Sequence, residues 1–264
     1  MIQLLDGKNY SKKELLKKMV DDSFYYGELN KLALSSSWLK LLLSSPKTYK
    51  YVTQYGSPET QPLRDGRLVH QAILEPQKFS EQIFVNVSSK NTKTYKEARQ
   101  KYGEVYTRVE KENAEKIADA FFKNEHALKH ITDCEFEVSG IGTVQGYPFR
   151  GKADVLRNDG IVDIKTTTDI KGFPYSAKKY SYDVQCYIYC QLFNVTYLDF
   201  KFVVIDKGSL DIGVWNCSEE FYLEGERKTK EAIQIFEKFF IEGQDIDNYI
   251  IEGILWLIYI IKIV

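Results

Sequence analysis

The sequence predicts an α/β fold, a central mixed β-sheet flanked by helices, on three observations. Residues 149–168, FRGKADVLRNDGIVDIKTTT, read as two strands joined by a tight turn, because Asn158-Asp159-Gly160 is hairpin chemistry and IVDIKTTT alternates polar with apolar residues. Helix-like segments dominate residues 1–130. A further helix-like segment, residues 182–193, separates the hairpin from an apolar strand, FKFVVID.

In chain order, Ser11 is placed to cap a short basic helix over residues 11–20. Ser35, Ser36 and Ser37 then precede WLKLLLSS, a helix that stops at Pro46 and puts Trp38 and Leu42 on one buried face. Gly56, Pro58 and Pro62 make residues 53–62 a loop. The next helix, residues 63–74, ends before Pro76 and shows a short polar face of Arg67, His70 and Gln71. Residues 86–108 interleave basic side chains with Tyr95, Tyr102 and Tyr106, which suits either a single-strand path with rings stacked on bases or an exposed helix.

Ala114, Ile117, Ala118 and Phe121 give residues 111–130 a helical apolar stripe. The sheet begins near Asp133, with Glu135 and Glu137 on one face of the first strand. Gly151 leaves room beside Asp154 for a phosphate backbone or a bulge. Residues 169–180 read as irregular; in residues 182–193, Val184, Ile188 and Leu192 form the packing face and Tyr182, Gln185 and Tyr189 a neighbouring stripe. Strands at 200–206 and 212–217 and an amphipathic helix at 221–240 follow.

The chemistry concentrates in the central hairpin. With Asp159-Gly160 as a two-residue loop, Asp154 sits opposite Lys165 and Asp163 opposite Leu156, so Asp154, Asp163 and Lys165 share one face. Val162 and Ile164 point into a core on the other. Two converging carboxylates form a hard oxygen site suited to Mg²⁺ or Mn²⁺, and a lysine beside them can orient a water and offset phosphate charge. The geometry is equally compatible with a cross-strand ion pair between Asp154 and Lys165 and a solvated Asp163.

Composition sets the limits. The chain has 264 residues, 44% hydrophobic and 28% charged, which is ordinary globular composition and excludes wholesale disorder. A net charge of −1 excludes a globally basic surface, so any nucleic-acid path has to be a local channel. No signal-peptide pattern opens the sequence, which implies a cytoplasmic protein. Cys134, Cys186, Cys190 and Cys217 lack paired metal-site spacing and read as free thiols. The apolar end, residues 250–264, is too short for a membrane span and is expected to pack in the core or at a subunit interface.

GKAD followed by IVDIKTT resembles the D…(D/E)-x-K signature of the PD-(D/E)XK nuclease superfamily, at Asp154, Asp163 and Lys165. GRLVH, residues 66–70, resembles its upstream G-x-x-x-H motif, and residues 185–189 its downstream Q-x-x-x-Y motif. The motifs in this order resemble the RecB-like and lambda-exonuclease-like branch, and SSSWLKLLLSSPKTYKYV and PLRDGRLVHQAILEPQKF are similar to the N-terminal part of exonuclease VIII nuclease domains, so the likeness spans residues 35–205. It implies a single nuclease domain: a mainly helical part at 1–130, a catalytic sheet core at 131–217, and a C-terminal helix and tail at 218–264. It further implies metal ligation by Asp154, Asp163, the Ile164 carbonyl, His70 and Glu137, catalysis by Asp154, Asp163, Lys165 and His70, and DNA contacts by Arg67, Gln185 and Tyr189. The expected activity is Mg²⁺-dependent or Mn²⁺-dependent 5′ to 3′ digestion of linear duplex DNA in a phage-type recombination setting, with a single-strand annealing protein as partner and a ring-shaped homo-oligomer. Without the clustered cysteines of some relatives, no iron–sulfur cluster is expected. A RecB-like or CRISPR-associated nuclease, and a non-catalytic DNA-binding protein of the same fold, are the alternatives.

Overall fold

The sheet grows from the hairpin. The computed structural model describes residues 1–251, and in it strands β1 (Cys134–Val144), β2 (Tyr147–Arg157), β3 (Gly160–Thr167), β4 (Phe200–Asp206) and β5 (Ile212–Asn216) lie side by side in that order. Neighbours are antiparallel except β3 and β4, which are parallel and need a crossover connection. The principal helices are α1 (Ser36–Ser44), α2 (Pro46–Tyr55), α3 (Gln61–Leu74), α4 (Arg108–Lys123), α5 (Tyr182–Phe193) in the crossover, and α6 (Glu219–Phe236). The expected mixed sheet flanked by helices is therefore the architecture observed. Among the described residues no helix is long and apolar enough to cross a membrane.

Each face of the sheet carries its own core. On one, Val184, Ile188 and Leu192 of α5 join Leu39 and Leu42 of α1 and Ile233 and Phe236 of α6 over Ile161, Phe200 and Phe202. On the other, Leu68, Val69 and Ile73 of α3 and Ile117 and Phe121 of α4 cover Val155, Val162, Ile164 and Val203. Full burial of one such side chain is worth about 1.5–3 kcal/mol, so these two contacts hold α3 and α5 in place on opposite faces of β3. Residues 1–34 form a smaller cluster with Ile141 of β1.

The hairpin register differs from the expected one. The loop is Asn158-Asp159, with Arg157 opposite Gly160 and Val155 opposite Val162, so Asp154 lies across from Asp163, not Lys165. Neither loop residue has a positive φ; Gly160 does, at 148°, and a Cβ there would fall 2.0 Å from the Asp199 carbonyl oxygen. That close approach to the chain entering β4 places the glycine in the strand. The shift is two residues, so every side chain of β3 keeps its expected face, Val162 and Ile164 in the core included.

Other departures have local causes. Residues 46–55 are helical because extended Ser45 ends α1 and caps α2, with Pro46 in the first turn, so the loop begins only at Gly56. A short helix, Phe173–Lys179, replaces part of the irregular segment, again with a proline in its first turn. The room at Gly151 is filled: a Cβ there would lie 2.8 Å from the Tyr189 ring. The basic helix Lys93–Tyr102 is exposed apart from buried Tyr95. Cys186, Cys190 and Cys217 are buried free thiols and Cys134 is half-buried. Of the apolar end, residues 252–264 lie outside the described residues.

Gly160→Ala is expected to cost about 2–4 kcal/mol through backbone strain and collision with the Asp199 carbonyl. Chemical denaturation checks it, and an unchanged midpoint rejects the close-approach account.

Candidate active site

Strand β3 leaves β2 beyond the pair Val155 and Val162, because it stays paired with β4 as far as Thr167 opposite Asp206. Asp154 sits in the resulting fork. Its Oδ2 accepts the Ile164 N–H at 2.8 Å, a bond the strand ladder would otherwise supply. The facing of β2 changes here: Phe149 and Ala153 belong to the core under α5, whereas Val155 belongs to the opposite core. Across on β1, Glu137 falls between the pairs Phe136 with Val155 and Val138 with Ala153, and has a left-handed φ of 52°. The kink turns Glu137 towards Asp154, while Glu135 is exposed.

Helix α3 delivers His70 to the same point. Its Nε2 lies 2.9 Å from Asp154 Oδ2 and its Nδ1 3.3 Å from Glu137 Oε1. Donor atoms of His70, Glu137 and Asp154 all lie within 4.8 Å of one another. The helix is anchored nearly two turns earlier by buried Arg64, which donates to Glu110 at 3.0 Å, Glu59 at 2.8 Å and the Val105 carbonyl at 2.7 Å. Breaking such a buried pair typically costs about 3–5 kcal/mol, so this network contributes to the position of His70.

Asp163 is fully buried beside this trio. Gln185 of α5 donates to its Oδ2 at 2.6 Å, and Lys165 pairs with its Oδ1. Lys165 also lies 5.1 Å from the Tyr182 ring centroid, and Lys40 of α1 lies 4.9 Å from the same ring. Tyr189 packs on Gly151 and against Phe193 and Phe200, so its ring is mainly structural. Arg67 already pairs with Glu104 and Glu59. The sequence reading brought Asp154, Asp163, Lys165, His70, Glu137 and Gln185 to this region and set Tyr182 on the Gln185 stripe without a role; it missed Lys40 and Arg150. A lone lysine inside WLKLLL, and an arginine two and four positions ahead of Lys152 and Asp154, were the available signals.

The charges are strongly coupled. Burial raises the Asp163 carboxyl to about 6, and Asp154 adds to that against the pull of Lys165. Burial likewise lifts Glu137 to about 7, opposed by His70. Burial disfavours a charged His70, but Asp154 and then Glu137 outweigh it and raise the ring to about 9. Asp154 is lowered despite burial, by His70, Lys165 and the Ile164 N–H. Burial opposes charge on Lys165 too, yet Asp163 and Asp154 raise it, whereas burial and neighbouring Lys165 bring Lys40 down to about 7.

A cation fits this donor set. Two carboxylates and an imidazole converge, and the buried oxygens Glu137 Oε1 and Gln71 Oε1 have no hydrogen-bond partner among the described residues. All of this lines a cleft of 1640 Å³ bordered by Lys40, Arg67, Lys78, Arg150, Lys152, Lys165, Lys179 and Lys207 against Asp22, Glu75, Glu137 and Asp154. Cations thus prevail locally on a chain with a net charge of −1, as a phosphate path requires.

Without metal, His70 makes stability depend on pH. Its ordinary value is 6.5 and its folded value about 9, so its contribution is complete below 6.5 and is lost as pH rises towards 9. Glu137, raised to about 7, acts in the same direction at lower pH, whereas Lys40, lowered to about 7, gains stability as pH rises from there towards its ordinary 10.5 and opposes His70 over the same window. His70 is therefore isolated by difference: the stability that the metal-free wild type holds over His70→Gln is expected to shrink by roughly 2 kcal/mol between neutral pH and pH 9 in thermal melting. A difference that does not change with pH removes the ion-pair account.

A candidate exonuclease from Eubacterium rectale is structurally similar, with a TM-score of 0.62, 15% identity, and coverage of 95% of this chain and 97% of its own; this likeness concerns the fold. A phage-related exonuclease from Haemophilus somnus 129PT gives a TM-score of 0.36 at 13% identity, over 81% of this chain and 98% of its own. No curated protein matches the sequence. Residues 35–243 match the family described as a PDDEXK-like domain of unknown function, DUF3799, and the chain belongs to that family.

Proposed function

We propose that the chain is a metal-dependent DNA exonuclease, a single nuclease domain that hydrolyses phosphodiester bonds with Mg²⁺ or Mn²⁺. The observation that carries this reading is the convergence of His70, Glu137 and Asp154 within 4.8 Å, beside the Lys165–Asp163 pair, in a cleft rich in cations. PDDEXK nucleases use divalent metals, and the family assignment agrees with that chemistry.

Asp154 and Glu137 would hold the metal, with Asp163 and the Ile164 carbonyl as further ligands. His70 could join them only as the neutral imidazole, so metal binding there would be linked to release of its proton. The bound cation supplies charge at the phosphate oxygens and acidity to a water. Lys165, braced between Asp163 and the Tyr182 ring, donates to the attacking water and keeps its proton, in line with its raised affinity for it. Gln185 fixes Asp163 by donating to Oδ2, which leaves Oδ1 for Lys165. Arg67 borders the DNA path, and the Tyr189 ring supports strand β2 beside it. Digestion from 5′ ends of linear duplex, a ring oligomer and an annealing partner complete the reading, on the sequence resemblance.

Linear, nicked and circular duplexes labelled at either end and incubated with Mg²⁺ test this directly. Linear substrate is expected to be degraded from 5′ ends, with Asp163→Asn and Lys165→Met reduced roughly 10³-fold. Cleavage of circles transfers the assignment to an endonuclease; binding without cleavage rejects catalysis. Gln185→Ala is expected to weaken metal binding about 10–100-fold by calorimetry, and an unchanged affinity removes its role in holding Asp163.

A further inference from the structure

Two arginines of this chain are almost completely buried, and they are treated differently. Arg64, 4% exposed, is saturated by Glu110, Glu59 and Glu104 and by the Val105 carbonyl. Arg150, 5% exposed, has no carboxylate partner among the described residues. Its guanidinium makes one hydrogen bond, from Nη2 to Asn30 Oδ1, and its Nε is buried without an acceptor. Five N–H donors in a planar fork match the oxygens of a phosphate, and an unpaired buried charge carries a desolvation penalty that only an anion offsets well.

The side chain is also held ready. The guanidinium lies 4.4 Å from the Tyr25 ring centroid. Asn30 Oδ1 is oriented by the Trp38 indole N–H at 3.0 Å. The backbone is pinned where β3 has left the edge of β2: Leu34 donates to the Pro148 carbonyl at 2.9 Å and accepts the Arg150 N–H at 2.9 Å. Both Arg150 and Asp154 line the cleft. They stand four positions apart on β2, roughly 13 Å between Cα atoms. The Arg150 guanidinium meets Tyr25 and Asn30 whereas Asp154 meets His70, so the two occupy different parts of the cleft.

We propose that Arg150 is the receptor for a second phosphate of the nucleic-acid strand, apart from the one being hydrolysed, with Asn30 and Tyr25 holding its guanidinium in the cleft. This rests on the nuclease reading and adds a substrate-positioning residue to it. The ligand is a phosphate oxyanion, either an internal diester or a terminal monoester of the bound strand. Lys152, on the same face, is already paired with Asp22 at 2.8 Å, which leaves Arg150 as the unpaired cation of this strand.

The test is DNA binding against salt in an Asp163→Asn background with Mg²⁺, while wild-type hydrolysis is followed in parallel. Arg150→Gln is expected to bind about tenfold more weakly, with the slope of log K against log salt reduced by about 0.9, and Lys123→Gln on an exposed helix face to leave both unchanged. Thermal melting at or above the parent value shows that Arg150→Gln is folded; should it fail to fold, Arg150→Lys replaces it and is expected to keep the slope while losing affinity. Parental affinity and slope in the folded variant, or parental affinity in Arg150→Lys, overturn the site while leaving hydrolysis by the wild type intact. A wild type that neither binds nor cuts DNA overturns the nuclease reading and this site with it. Loss on strands with and without terminal phosphates assigns an internal diester; loss on phosphorylated strands alone assigns a terminal one.

Discussion

The structure depends on how strand β3 is shared. Its ladder with β4 runs the full length of the strand, whereas its ladder with β2 stops after Val155 and Val162. A splayed strand leaves buried N–H groups that need acceptors. The Asp154 carboxylate supplies one for Ile164 and Leu34 takes over the freed edge of β2, so the chain stays satisfied while the sheet opens. The cleft forms at this fork, and the carboxylate that satisfies the backbone is also the one that meets His70.

Concentrating acids in that fork carries an electrostatic cost, visible in the raised carboxyls of Asp163 and Glu137. The chain offsets the cost with groups from both cores: His70 arrives on α3 from one face, Gln185 and Tyr182 on α5 from the other. Neither helix can move without disturbing its own apolar packing, so the positions of the polar groups are enforced by Leu68, Val69, Val184 and Ile188. The metal-free arrangement, with a protonated imidazole between two carboxylates, is consistent with a site built to receive positive charge.

Much of this was legible in the residues. Alternation in IVDIKTTT sent Val162 and Ile164 to a core and Asp163 and Lys165 to the other face, and that assignment survived the register change because a two-residue slip preserves facing. The helix bearing His70 was bounded by prolines and the helix bearing Gln185 by its apolar period. The loop was misplaced because Gly160 serves a contact with Asp199, which lies 39 positions along the chain and leaves no local trace.

The sequence by itself determined the strands of the sheet, the helices that bear His70 and Gln185, the faces of β3 and the identity of the acidic and basic groups, since periodicity and turn chemistry act over a few residues. Only the tertiary structure decided where β2 and β3 part, that Glu137 turns in through a left-handed backbone, and that Arg150 is buried without a carboxylate while Arg64 has several. These are outcomes of competition between distant segments for the same hydrogen bonds and the same volume, and no single stretch of residues contains both competitors.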